Sequence, residues 1–362
     1  MTLLEYSVIF TNRSTNLMSK KFINSFKTLN SNLCNIYNAK QSIIIPGSGS
    51  TAMEAVARQF GINKKCMIIC NGYFSYRWNQ ILQQGKPNNI TSDILMQKAI
   101  IDFKNDDIIK ISPPSISEIC DNILKNKPDL ICLPHVETST GIILDNDYIA
   151  EIGNVAKKTN SIVCLDGIAS GSLWVDLKKL NIDLYITAPQ KGWTSPAGCG
   201  VVMLGDKIYK KLKNTVNNSF ILDLNKWSNV SEVYDHDNYM YHCTLPTDSI
   251  IKFSETVEET LEFGLDKAEN NAKYIGKELR KILENKGFNS IAADKYKSPT
   301  VIVSQCKENM VNHFKKKGIQ IAGFVPFMLD EPSNIHTFRL GLFGLDKLMN
   351  PEKTIYDFKN VL

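Results

Sequence analysis

No apolar run in this chain approaches the ~20 residues that a membrane-spanning helix needs. The longest runs, Cys66–Cys70, Ser42–Pro46 and Val201–Leu204, are strand-sized. The opening MTLLEYSVIF has neither a basic stretch nor a small-residue cleavage site, so no secretory leader is expected. There is no continuous basic run, and a net charge of +5 is small for 362 residues. Nucleic-acid binding is therefore not indicated, and Lys315–Lys317 read as the exposed end of a helix. The nine cysteines are odd in number, and Cys66, Cys70, Cys132 and Cys164 lie inside apolar runs. Buried thiols in a reducing cytoplasm explain them better than disulfides do. Cys66 and Cys70 alternate on a strand pattern with three residues between them, which fits neither a redox pair nor a zinc knuckle. His135, His236, His242, His313 and His336 are scattered, with no second ligand at helical or strand spacing, so no metal site is expected. Internal repeats and low-complexity tracts are also absent.

What is present is a chain 43% hydrophobic and 22% charged, ample for a buried core and long enough for two domains. From about residue 41 to 205, short β-branched runs alternate with helix-like segments. Ser42–Pro46 precedes Ser50–Phe60, Cys66–Cys70 precedes Phe74–Gln84, Leu130–Pro134 precedes Tyr148–Thr159, and Ser161–Asp166 leads to further strands. This alternation predicts an α/β fold with a mainly parallel sheet sandwiched by helices. The polar stretch Asn214–Asn238 reads as a long loop. Ser249–Asn285 reads as a helix bridging two domains, with Phe253, Val257 and Leu261 on one face. The remainder, with strands at Pro299–Cys306 and His336–Leu342 around a helix at Glu308–Lys317, forms a smaller α+β unit. The expected division is a large domain over 1–248 and a small one over 249–362.

Chemistry concentrates at the strand ends. In a sheet flanked by helices, the carboxyl ends of neighbouring strands open on one crevice. Asp166 closes one apolar run and Lys191 follows the next, Asp183–Ala188. A buried acid and a lysine brought together there are what pyridoxal phosphate needs. The lysine forms the Schiff base, and the acid keeps the pyridine nitrogen protonated so that the ring withdraws electrons. A strand-end Asp and a surface Lys that never meet would leave the same spacing. Pro46-Gly-Ser-Gly-Ser-Thr51 lies between a strand and a helical run, where small residues let N–H groups and hydroxyls surround an anion. It has neither the third glycine of a dinucleotide fingerprint nor the Gly-Lys-Ser/Thr of a P-loop, and a plain turn with an N-cap is the alternative. Asn71-Gly72-Tyr73-Phe74 opens the next helix with an aromatic that could stack on a planar ring or serve the core. His135-Val-Glu-Thr-Ser-Thr-Gly141 is a hydroxyl-dense turn at another strand end.

Together these segments resemble the class V, fold-type-I pyridoxal-phosphate aminotransferases, most closely the alanine–glyoxylate and serine–pyruvate group. The resemblance rests on GSGSTAMEA, NGYF, HVETSTG, CLDGIAS, APQKG with SPAGCG after it, YHCTLP and FRLGLFG, in family order from about residue 45 to 344. It implies that Lys191 holds the cofactor and that Asp166 pairs with the pyridinium nitrogen. Phe74 would stack on the ring, Ser139 would lie near its phenolic oxygen, and Ile168 would pack on the opposite face. Ser48, Gly49, Ser50 and Gln190 would hold the phosphate, and Arg339 would grip the substrate α-carboxylate. Tyr241 and Thr244 would reach the phosphate of the neighbouring subunit's cofactor, which implies a homodimer with shared sites. The implied activity is transfer of an amino group from an amino acid to a small 2-oxo acid such as pyruvate or glyoxylate.

The same fold also carries lyases of the cysteine-desulfurase type. Those place a His beside the lysine and over the ring and use a mobile-loop Cys. Gln190 and Phe74 stand at those positions here, and no cysteine lies in a Gly/Ser-rich loop. A non-catalytic binding protein would have lost Lys191, Asp166 or Arg339, and all three are present. The N-terminal segment departs from the family pattern: Phe10-Thr-Asn-Arg-Ser-Thr15 replaces a Gly/Pro-rich pocket wall. Either Arg13 turns inward and favours an acidic substrate, or it is solvated on an exposed arm.

Overall fold

The computed structural model describes residues 13–84, 92–104, 108–307 and 310–362. Helix α1 (Lys20–Tyr37) comes first, followed by β1 (Gln41–Gly47), α2 (Gly49–Phe60), β2 (Lys65–Cys70), α3 (Tyr73–Gln83) and β3 (Asp93–Lys98). The antiparallel pair β4 (Ile100–Lys104) and β5 (Ile108–Ser112) leads to α4 (Ile116–Asn126) and β6 (Leu130–Pro134). Next come the short strands β7 (Val136–Glu137) and β8 (Ile142–Ile143), α5 (Asn146–Thr159), β9 (Ile162–Asp166), β10 (Leu184–Thr187) and β11 (Gly198–Leu204). Helices α6 (Asp206–Leu212), α7 (Leu224–Asp235), α8 (Thr247–Phe263) and α9 (Leu265–Asn285) follow. The C-terminal part contains β12 (Val301–Gln305), α10 (Met310–Lys316), β13 (Ala322–Gly323), β14 (Thr337–Gly341), α11 (Leu345–Met349) and α12 (Pro351–Val361).

The central sheet has the order β1-β11-β10-β9-β6-β2-β3. Its pairs are parallel from β10 through β9, β6 and β2 to β3, and antiparallel only on either side of β11. Strands β6 and β9 are buried almost throughout, as expected for strands covered on both faces. The α/β architecture read from the sequence is thus the one observed. A second apolar cluster joins α9, α10, β12 and β14 around Phe314, Phe338 and Leu279, whereas the buried face of α8 belongs to the main core. No helix among the described residues is long and apolar enough to cross a membrane.

Two expectations need correction, and one helix was not anticipated. The stretch 214–238 is not all loop, because α7 occupies Leu224–Asp235 and buries Leu224, Trp227, Val230 and Tyr234 on one face. Its polar residues form the outer face and mask that periodicity. The single bridging helix is two, because Gly264 takes φ +100°, a conformation that ends α8 and starts α9. An additional helix, α1, is capped by the Ser19 hydroxyl on Phe22 N–H and ends at left-handed Asn38.

Candidate active site

Asp166 is the last residue of β9 and lies opposite Ile186 of the parallel neighbour β10. Lys191 follows in the turn after β10. Both face one cleft of about 120 Å³, with Ser48, Gly49 and Ser50 from the β1–α2 junction, Phe74 from α3, and Ile168 and Gln190. The Asp166 carboxyl is buried and accepts the Ile168 N–H at 3.0 Å. Among the described residues no cation lies within ion-pair distance of it. Burial pushes its pKa up to about 7. Lys191 is partly buried, and desolvation, helped by nearby Arg339, lowers its ammonium pKa. Its Nζ lies 5.6 Å from the centre of the Phe343 ring.

Two helices present their N-termini near this cleft, and their amides are used differently. At α3 the donors are already taken by side chains. Ser139 Oγ accepts Tyr73 N–H at 2.9 Å, and Glu137 accepts Phe74 N–H at 3.2 Å and Ser75 N–H at 2.8 Å. At α2, Thr51 Oγ1 accepts Ser48 N–H at 3.0 Å. No described side chain accepts from Gly49 or Ser50 N–H, so α2 is the terminus able to receive an anion. Gly49 is closely packed: a Cβ there would lie 2.5 Å from Ile168 Cδ1, so that side chain would have to shift. At Gly72 a Cβ would lie 2.1 Å from Ser139 Oγ.

The remaining expected residues lie outside the inner cleft. Ser139 is fully buried and its hydroxyl donates to Glu137 at 2.8 Å, so it fixes the turn beneath the cleft. Arg339, on β14, is half-buried with its guanidinium 5.8 Å from the Phe74 ring centre. Its Nε is buried without a hydrogen-bond partner. Tyr241 is 64% exposed and Thr244 is exposed, so neither serves the cleft of its own chain. Arg13 is exposed, while Phe10, Thr11 and Asn12 fall outside the described residues.

Two residues at the site were not foreseen. Glu137 is completely buried, and the signal for it was an acid inside an otherwise hydroxyl-rich turn. Arg77 lines the cleft, donates from Nη1 to Ser50 Oγ at 2.8 Å, and places its guanidinium 5.3 Å from the Phe74 ring centre. It stands one helical turn after Phe74, on the same face of α3, and that i, i+3 relation was readable. His135 is buried, with Nδ1 2.8 Å from Ser170 Oγ, and burial lowers its imidazole pKa to about 4.

A sequence profile described as aminotransferase class-V matches residues 94–322. An uncharacterized aminotransferase of Methanocaldococcus jannaschii is 26% identical over 281 residues, covering 77% of this chain and 68% of the relative. Alanine–glyoxylate aminotransferase 1 of Saccharomyces cerevisiae is 21% identical over 362 residues, covering 94% of this chain and 89% of that protein. Among solved structures, an alanine–glyoxylate aminotransferase from Nostoc sp. superposes with a TM-score of 0.78 at 18% identity, over 96% of this chain and 89% of the other.

Proposed function

The chain belongs to the class-V aminotransferases, transaminases whose cofactor is pyridoxal phosphate, and from that premise we propose that it moves an amino group from an amino acid to a small 2-oxo acid through covalent attachment of the cofactor at Lys191. The residues present fit that cofactor. A buried carboxyl with no ion pair among the described residues suits a pyridinium N–H, and the unfilled donors at α2 suit a phosphate. The observation that carries the reading is the meeting of Asp166, Lys191 and the α2 N-terminus in one cleft.

When bound, pyridoxal phosphate supplies an aldehyde carbon that takes up amino groups and a ring that withdraws electrons from Cα. Asp166 holds the proton on the ring nitrogen. Phe74 and Ile168 would pack on the two ring faces, Ser48, Gly49, Ser50 and Gln190 would hold the phosphate, and Ser139, its hydroxyl engaged with Glu137 and Tyr73 N–H, would steady the turn on the phenolic-oxygen side. Lys191 Nζ, made less basic by burial, would be the amine that holds the cofactor's aldehyde carbon and the base that would accept the proton from the substrate Cα. Arg339 receives the substrate α-carboxylate in a bidentate pair, which its unpartnered Nε supports. Relatives named for alanine and glyoxylate support a small oxo acid as acceptor, and an exposed Arg13 gives no support to an acidic side-chain pocket.

The same reading makes the enzyme a homodimer, with Tyr241 and Thr244 serving the partner's cofactor. Their exposure beside exposed Phe220 and Met240 supports this. It divides the chain into a cofactor-binding part, 1–248, and a C-terminal part, 249–362. Nine unpaired cysteines support a cytoplasmic setting. A donor screen that follows loss of the bound cofactor's visible absorbance tests the proposal. An amino acid that bleaches the band, with an oxo acid restoring it, is the expected result, and a band unmoved by any amino acid is the contrary one.

A further inference from the structure

We propose that Arg77 is the counter-charge of the cofactor's phosphate, reaching it from α3 rather than from the β1–α2 cradle. The inference rests on the cofactor reading above and follows from how the charges in the cleft are already committed.

A phosphate monoester carries close to two negative charges at neutral pH. The N-terminus of α2 offers roughly half a positive charge together with the Gly49 and Ser50 amides. The cradle residues Ser48, Gly49, Ser50 and Gln190 carry no formal charge. Four charged groups line the inner cleft: Glu137, Asp166, Arg77 and Lys191. Glu137 is saturated by the N–H and hydroxyl groups of α3 and its own turn. Asp166 lies at the carboxyl end of β9 and is assigned to the ring nitrogen. Lys191 is assigned to the aldehyde carbon and must be free to leave it. Arg77 alone is left, and its Nη1 already touches Ser50 Oγ at 2.8 Å. Its guanidinium also lies 5.3 Å from the Phe74 ring centre, which fixes the side chain over an aromatic face. A planar fork held in this way has donors to spare for phosphate oxygens.

The test compares pyridoxal phosphate with pyridoxal, which has the same ring and aldehyde but no phosphate. The full-length protein, freed of cofactor, is titrated with each by fluorescence quenching, for wild type, Arg77→Met and Arg77→Lys. Wild type should prefer the phosphorylated form strongly. Arg77→Met should lose about tenfold to a hundredfold of that preference, the loss of one charge-assisted contact, with pyridoxal affinity changed little. Arg77→Lys should keep the preference to within a few-fold of wild type. Inorganic phosphate should raise the melting temperature of cofactor-free wild type and of Arg77→Lys, and should not raise that of Arg77→Met. Equal losses for both ligands in Arg77→Met would mean that Arg77 acts on the ring through Phe74, and would overturn the inference. So would an unchanged preference, or a lysine variant no better than the methionine one. A wild type that binds pyridoxal as tightly as pyridoxal phosphate would instead remove the phosphate cradle itself, and this inference with it.

Discussion

Glu137 Oε2 accepts both the N–H and the hydroxyl of Ser75, at 2.8 and 2.7 Å. Its other oxygen takes Phe74 N–H and both donors of Ser139. A carboxylate from one strand-end turn thus caps the helix that carries Phe74. The helix that carries the aromatic ring is held by a fully buried acid. Glu137→Gln would turn an N–H₂ toward some of these donors and leave them unpaired in the interior. We expect a loss of about 2 kcal/mol or more in unfolding free energy, read by urea denaturation. A variant as stable as wild type would contradict the capping role.

Asp166 gives the fold a pH dependence of defined sign. Its pKa is raised to about 7 in the folded chain, against about 3.9 when unfolded, so the folded state holds the extra proton. Its penalty is absent below about pH 4, grows as pH rises, and is complete above about pH 7. Between pH 5 and pH 8 the cofactor-free wild type should therefore lose more stability, or gain less, than Asp166→Asn, because buried His135, its pKa lowered to about 4, contributes with the opposite sign in both proteins. Denaturant midpoints with the same pH dependence in both proteins would refute this. In the loaded enzyme the same variant should keep the cofactor but turn over at least about tenfold more slowly, a barrier increase of ~1.4 kcal/mol or more.

Gly49→Ala should disturb the ring rather than the phosphate. The added methyl would sit 2.5 Å from Ile168 Cδ1 and drive that side chain toward the ring face. Overpacking of this kind costs about 1–3 kcal/mol, so cofactor dissociation should rise about tenfold. Adding Ile168→Val, which removes the crowding methyl, should restore part of it. Absence of any rescue would place the effect elsewhere.

Mixing Lys191→Ala with Tyr241→Ala chains should restore activity, because one site of each mixed dimer would be built from intact halves. Subunit exchange confirmed by mass, with no activity regained, would dismiss the shared site.

Much of this was legible in the sequence because the cleft is made by strand ends, and strand ends are marked by abrupt changes from apolar to small or polar residues. Asp166, Lys191 and the Gly47–Thr51 turn are all of that kind. What escaped was set by tertiary context. Helix α7 hides its apolar face among asparagines and serines, and α1 was passed over although Phe22, Phe26, Leu29 and Leu33 recur at helical spacing. The break at Gly264 interrupts a run whose apolar positions carry on past it. Glu137 and Arg77 carried no assignment from the sequence. Only the packing of the HVETSTG turn against α3 shows one buried and the other turned into the cleft.

The most direct test of the account is borohydride reduction of the cofactor-loaded enzyme followed by peptide mapping. The account predicts a phosphopyridoxyl group on the peptide that contains Lys191, and no label in Lys191→Ala. A label on any other lysine of the wild type, or none at all, would contradict it.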